Sequence, residues 1–218
     1  MSVIATVFLP DGIIMATDSR ITGSNTSNEN GLTKETIFTL SDNGQKLFLI
    51  NNKTGISFCG KEEIGGKTMA DFIDSFEKNK ISDKDDVYEI AQKLRQEVFI
   101  YDKSGVDYFF HVAGYTKGKQ EVYSVSSQLA KLINSEPAAA WNGDAAFLTN
   151  LINGNPPMSF DWSHMYLKDG IELAEFMVDV NCKAQRFSST IATCGGPIDI
   201  LLITKDEARW IRHKILNP

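Results

Sequence analysis

Two short runs of strand-forming, almost wholly apolar residues open the chain: Val3–Leu9 and Ile13–Thr17. Pro10-Asp11-Gly12 between them is a strong turn sequence, so the two predict a hairpin. The stretch Thr22–Gly31 is polar, rich in Asn and Ser, and reads as a surface loop. Lys46–Ile50 and Ile56–Cys59 predict a second strand pair around Asn51–Gly55. The period then changes. Met69, Phe72, Ile73 and Phe76 recur at helical spacing, and so do Val87, Ile90, Ala91, Leu94 and Val98 after a Ser82/Asp83 cap signal. Strand character returns at Tyr108–Tyr115 and Glu121–Val125. A short helical stretch, Asp144–Ile152, follows Trp141-Asn142-Gly143, and Asn153–Trp162 reads as loop. Leu173, Phe176, Met177, Val180 and Ala184 mark a last long helix, and Ile198–Thr204 with Ala208–Ile211 predicts a closing hairpin. Strands and helices in separate blocks point to an α+β fold, with antiparallel sheets and helices packed outside them.

Composition narrows the class. With 218 residues and 42% hydrophobic content, the chain can bury one sizeable core, and residues 1–218 read as a single domain. Its 22 basic and 28 acidic residues leave a net charge of −6, which argues against a nucleic-acid partner. No run of 18 apolar residues predicts a membrane span, and the N-terminal pattern is not that of a secretory signal. Three scattered cysteines, Cys59, Cys182 and Cys194, fit a reduced compartment. The expectation is a cytoplasmic protein.

The chemistry concentrates at the N-terminus. Removal of Met1 would leave Ser2 with a hydroxyl and a free α-amine on one residue. An α-amine titrating near neutrality can take the hydroxyl proton, making Ser2 a nucleophile with its own base. Ser2 lies 16 positions before Asp18 in Ala16-Thr17-Asp18-Ser19-Arg20, and Lys46 lies 14 before Gly60. These intervals, with the element order, resemble the proteasome β-subunits and the simpler bacterial proteasome-like proteases, which are N-terminal-nucleophile hydrolases. About a dozen residues are extra between Asp18 and Lys46, in a polar stretch where a loop tolerates insertion. Lys34 keeps the uninserted spacing but lacks the following strand, so Lys46 is preferred.

The resemblance implies a four-layer α-β-β-α sandwich of two antiparallel sheets covered by helices. It implies peptide-bond hydrolysis without a metal or organic cofactor, on a peptide or protein substrate, by a homo-oligomeric ring; relatives also work behind an unfolding ATPase. Ser2, Asp18 and Lys46 would be catalytic, and Gly60 would supply the oxyanion N–H. Thr22 and Phe58 would bind substrate, Thr22 by aligning it as an added strand and Phe58 in the first specificity pocket. Arg20 and Asn142 would lend support; on a purely structural reading, Asp18 and Arg20 would instead form an ion pair at a strand end. Asn142 stands where the family places a serine near the terminal amine, Ile191 where it places an aspartate, and Cys194 where it places a second serine. The alternative is a catalytically inactive structural subunit of such an assembly.

One rival motif is present. Gly60-Lys61-Glu62-Glu63-Ile64-Gly65-Gly66-Lys67-Thr68 resembles a phosphate-binding loop. Its first glycine is one residue too far from Gly-Lys-Thr, so nucleotide binding is a poor reading. His111, in an apolar strand, reads as a packed core histidine.

Overall fold

The computed structural model describes residues 2–29, 32–189 and 191–214. In chain order the strands and helices are β1 (Val3–Leu9), β2 (Gly12–Thr17), β3 (Ile21–Glu29), β4 (Leu32–Ser41), β5 (Leu47–Ile50), β6 (Thr54–Gly60), β7 (Glu63–Ile64), β8 (Lys67–Thr68), α1 (Met69–Lys80), α2 (Val87–Tyr101), β9 (Tyr108–Thr116), β10 (Lys119–Val125), β11 (Ala130–Leu132), β12 (Ala138–Gly143), α3 (Ala146–Asn153), α4 (Leu167–Phe187), β13 (Asp199–Ile203) and β14 (Ala208–Arg212).

The expected four-layer sandwich of two helix-covered antiparallel sheets is not what the chain forms. The molecule is strand-dominated, with 38% of residues in strands and 28% in helices, and its strands make sheets of 5, 2, 5 and 2. One five-stranded sheet runs β12-β1-β2-β13-β14 and the other β11-β10-β9-β6-β5, with all pairings antiparallel. The expectation fails first at the segment read as a polar loop. Ile21–Glu29 and Leu32–Ser41 pair as a long hairpin in a sheet of its own, and Asn30 and Gly31 lie outside the described residues. Gly65 and Gly66 turn a second small hairpin, β7–β8, where the phosphate-loop motif would need a loop opening a helix.

The helices are placed unevenly. Helix α4 packs on β1 and β2, and α2 packs on β9 and β10. The shorter α1 leans on β7–β8, and α3 leans on α4. The periodic positions do what their spacing predicts: Met69, Phe72, Ile73 and Phe76 of α1 are buried, as are Val87, Ile90, Ala91, Leu94 and Val98 of α2. The cap of α2 is Asp86, not Ser82 or Asp83. Its carboxylate accepts from Glu89 N, and the Glu89 side chain accepts from Asp86 N, a reciprocal capping box. Helix α4 begins at Leu167, six residues ahead of the first position that marked it.

Between the two large sheets lies a shared apolar layer that includes Phe8, Met15, Leu47, Val122 and Leu201. His111 of β9 crosses it. Its Nδ1 lies 2.8 Å from Thr6 Oγ1 on β1, and its Nε2 lies 3.2 Å from Asn142 Nδ2 on β12. With the Asn142 amide donating, Nδ1–H donates to Thr6, so a neutral ring ties one sheet to the other. Burial pushes the His111 pKa down to about 4.

The unfolded chain binds the His111 proton near pH 6.5, whereas the folded chain binds it only near 4. Between those values the unfolded state holds more protons, so stability rises with pH across that window and levels off above it. Urea midpoints measured from pH 4.5 to 7.5 should show that rise, and His111→Gln should flatten it. An unchanged slope in the variant would assign the pH dependence elsewhere.

Candidate active site

Asp18 follows the last residue of β2 and is fully buried, and its carboxylate gathers four segments. Oδ1 accepts from Val3 N at 3.0 Å, fixing the start of β1. Oδ2 accepts from Arg20 N at 3.1 Å and from Gly195 N at 3.0 Å. Lys46, just ahead of β5 and equally buried, donates from Nζ to both oxygens at 3.0 and 3.1 Å and also to the Arg20 carbonyl. A buried ion pair persists only when its remaining donors and acceptors are satisfied, and this one is. The alternative lysine, Lys34, is exposed far out on the β3–β4 hairpin, opposite Ser27.

Ser2 sits directly before β1 and is 2% exposed. Its carbonyl accepts from Asp144 N at 2.8 Å. Gly143 passes so close that a Cβ there would lie 1.9 Å from the same carbonyl oxygen, at a φ of 98°. No side chain fits, so this glycine is what lets β12 close over the N-terminal residue. Met1 lies outside the described residues.

Ser2, Thr22 and Gly60 line one open cleft of about 740 Å³. Gly60 ends β6 with a φ of 132°, and a Cβ there would lie 2.0 Å from the Asp107 carbonyl oxygen. The first residues of β3, together with Ile37 and Leu40 of β4, form the opposite wall. The segment between Asp18 and Lys46 therefore builds part of the cleft.

Three expected site residues are placed otherwise. Phe58 points away from the cleft: it is fully buried among α1, α2 and their sheet, with ring centroids 6.3 Å from Phe48 and 6.1 Å from Phe110. The guanidinium of Arg20 pairs not with Asp18 but with Asp42, at 2.7 and 3.1 Å, and reaches the Ala192 carbonyl at 3.3 Å. Only its backbone N–H serves Asp18. The Asn142 side chain is turned between the sheets onto His111. Ile191 is half-exposed.

Sequence reasoning missed three groups. Asp144 holds the Ser2 carbonyl through its N–H, while its carboxylate accepts from Thr193 Oγ1. Gln185 of α4 accepts from the backbone N–H groups of Thr193 and Cys194, at 2.9 Å each, and so docks the Gly195 segment that reaches Asp18. Cys194 is buried there, and burial pushes its thiol pKa far up. Glu62, two residues past Gly60, also lines the cleft. Burial pushes its pKa up to about 7, against the opposing charge of Lys46. Its only signal in the sequence was an acid close behind a strand-end glycine.

Among the described residues no group of three or more His, Cys, Asp or Glu is placed to hold a metal ion, and no helix is long and apolar enough to cross a membrane. No protein-family model matches the chain, and no curated protein matches it.

Removing Lys46 would strand a buried carboxylate. Lys46→Met should lower the unfolding free energy by about 3–5 kcal/mol, and adding Asp18→Asn should cost less than the sum of the single losses. Urea unfolding of the four chains measures this. Strict additivity would mean that the two side chains do not act as a pair.

Proposed function

We propose that the chain is an amide hydrolase, cleaving peptide bonds with Ser2 after Met1 is removed, as a proteasome-like N-terminal-nucleophile enzyme. The observation that carries this reading is the arrangement of Ser2 and Gly60 on one cleft, with the Lys46–Asp18 pair holding the segments behind them.

In this reading Ser2 Oγ attacks the substrate carbonyl while the Ser2 α-amine accepts its proton. The negative charge that develops on the carbonyl oxygen is met by the Gly60 N–H. The protonated amine then gives its proton to the departing substrate nitrogen, the C–N bond breaks, and an ester on Ser2 remains. Water, deprotonated by the same amine, attacks the ester and releases the acid. Ser2 Oγ recovers its proton. Lys46 contributes positive charge on the nucleophile's side, and Asp18 positions Lys46 and the first residue of β1. Thr22, in β3 and lining the cleft, would in this reading align an extended substrate as an added strand.

The reading extends to a homo-oligomeric ring in the cytoplasm, with peptide or protein substrates and an unfolding ATPase as a partner. A second reading, an inactive structural subunit of such a ring, is favoured by Asn142, whose side chain serves His111 rather than the nucleophile, and by the exposure of Ile191.

The two readings part on Ser2. On a fluorogenic peptide library the wild-type chain should hydrolyse at least one member, and Ser2→Ala should be slower by about a thousandfold or more. Equal rates for the two chains, or no hydrolysis by a chain that has lost Met1, would favour the structural subunit.

A further inference from the structure

The cleft beside Ser2 has an uneven charge balance. Six charged side chains line it among the described residues, and four are acids: Glu35, Glu62, Glu63 and Asp107. Both lining cationic side chains are already engaged, Arg20 by Asp42 and Lys61 by Asp107 at 2.8 Å. Lys46, behind the cleft wall, is held by Asp18. The Glu35, Glu62 and Glu63 carboxylates are not engaged among the described residues, and of these only Glu62 is partly buried rather than exposed. Only the Glu62 carbonyl is used, accepting from Met69 N at 2.8 Å to seat α1.

Its position gives that carboxylate a use. Glu62 lies two residues beyond Gly60, so along an extended backbone the two Cα atoms are within about 7 Å. A substrate whose carbonyl sits at Gly60 N–H would project its side chain within reach of Glu62. Apolar groups of Ile21, Ile37, Leu40 and Val106 line the same cleft and suit the aliphatic stem of a long cationic residue. An unpaired, half-buried carboxylate is costly, and an incoming cation offsets that cost.

We propose that the cleft selects peptides carrying a lysine or arginine at the scissile position, with the Glu62 carboxylate as the counter-ion. This rests on the hydrolase reading for its biological meaning, but its physical content is a binding preference measurable without turnover. Because Glu62 titrates near 7, the preference strengthens from pH 6 to pH 8 while the ligand's own charge stays constant. Lys46, the chain's terminal amine, Asp18 and Lys214 act on Glu62, with Glu35, Glu63, Lys61, Asp107 and Arg20 along the cleft. Loss of the amine's positive charge as pH rises favours a cationic ligand in the same direction, so Glu62→Gln is the control that isolates the carboxylate.

The test uses full-length Ser2→Ala, which cannot turn substrate over, and two peptides identical except for lysine or norleucine at one position. Calorimetry at pH 8 should give about tenfold or more tighter binding of the lysyl peptide. Adding Glu62→Gln, an isosteric change, should bring the two affinities within about twofold, and Glu62→Lys should favour a glutamyl peptide instead. Equal affinities in the parent, a preference that survives Glu62→Gln, or binding of neither peptide would overturn the proposal. Hydrolysis by the wild-type chain reports separately on the reaction. Failure of the chemistry with the lysine preference intact would remove the enzyme and leave the cationic-peptide cleft.

Discussion

One buried carboxylate, that of Asp18, organises the structure around the start of β1. Asp18 receives the first N–H of β1, the N–H of Arg20, the N–H of Gly195 and the ammonium of Lys46, binding together segments from opposite ends of the chain. Ionised carboxylates offer about four lone-pair sites, and this one uses them on partners that its burial makes hard to replace. The position of Ser2 follows, because β1 starts where Val3 is held and the Ser2 carbonyl is clamped by Asp144. Lys46 gains its orientation from the same bond. The pair is thus a positioning device that fixes both the start of β1 beside Ser2 and the buried ammonium of Lys46.

Around that point, strand ends and the β3–β4 hairpin make the cleft. Two large antiparallel sheets share a dry layer crossed by a neutral histidine, and the segment between Asp18 and Lys46 folds outward as a two-stranded arm rather than a passive loop. A lone hairpin is marginal in water. Here its base is anchored close to Asp18, by Gly44 N donating to the Ser19 carbonyl at 2.8 Å and by the Arg20–Asp42 pair. Its residues 21–24, with Glu35, Ile37 and Leu40, then line the cleft with Ser2 and Gly60, so the hairpin limits what that space can hold.

How much of this could be read beforehand depends on whether burial or polarity marks an element. The runs at β1, β2, β5 and β6 were legible because nearly every residue in them is apolar and buried. The spacing of Ser2, Asp18, Lys46 and Gly60 was singled out by resemblance to a family pattern, and the structure brings Lys46 onto Asp18 and places Ser2 and Gly60 on one cleft. Strands β3 and β4 were not. Their side chains are mostly exposed, and Asn, Ser and Thr leave no alternating apolar signature. The four-layer expectation failed with them, since it assigned that segment to no sheet. Phe58 and Asn142 were misplaced through strand parity. Phe58 shares a face with Ile56, which looks toward the helices, and Asn142 pairs with Ile4 and turns between the sheets. Glu62 lay in an irregular link, where no periodicity could reveal its direction. The Asp144–Thr193 bond spans 49 residues and carries no local signal at all.

The central claim is that hydroxyl and base are carried by one residue, Ser2. It is tested most directly by treating the chain with a bifunctional peptide electrophile that closes a ring only where a hydroxyl and a free α-amine share a residue, then mapping the adduct by tandem mass spectrometry. The account predicts a chain lacking Met1, with the adduct on Ser2 and none on Ser2→Ala. Retention of Met1, or an adduct at any other residue, would contradict it.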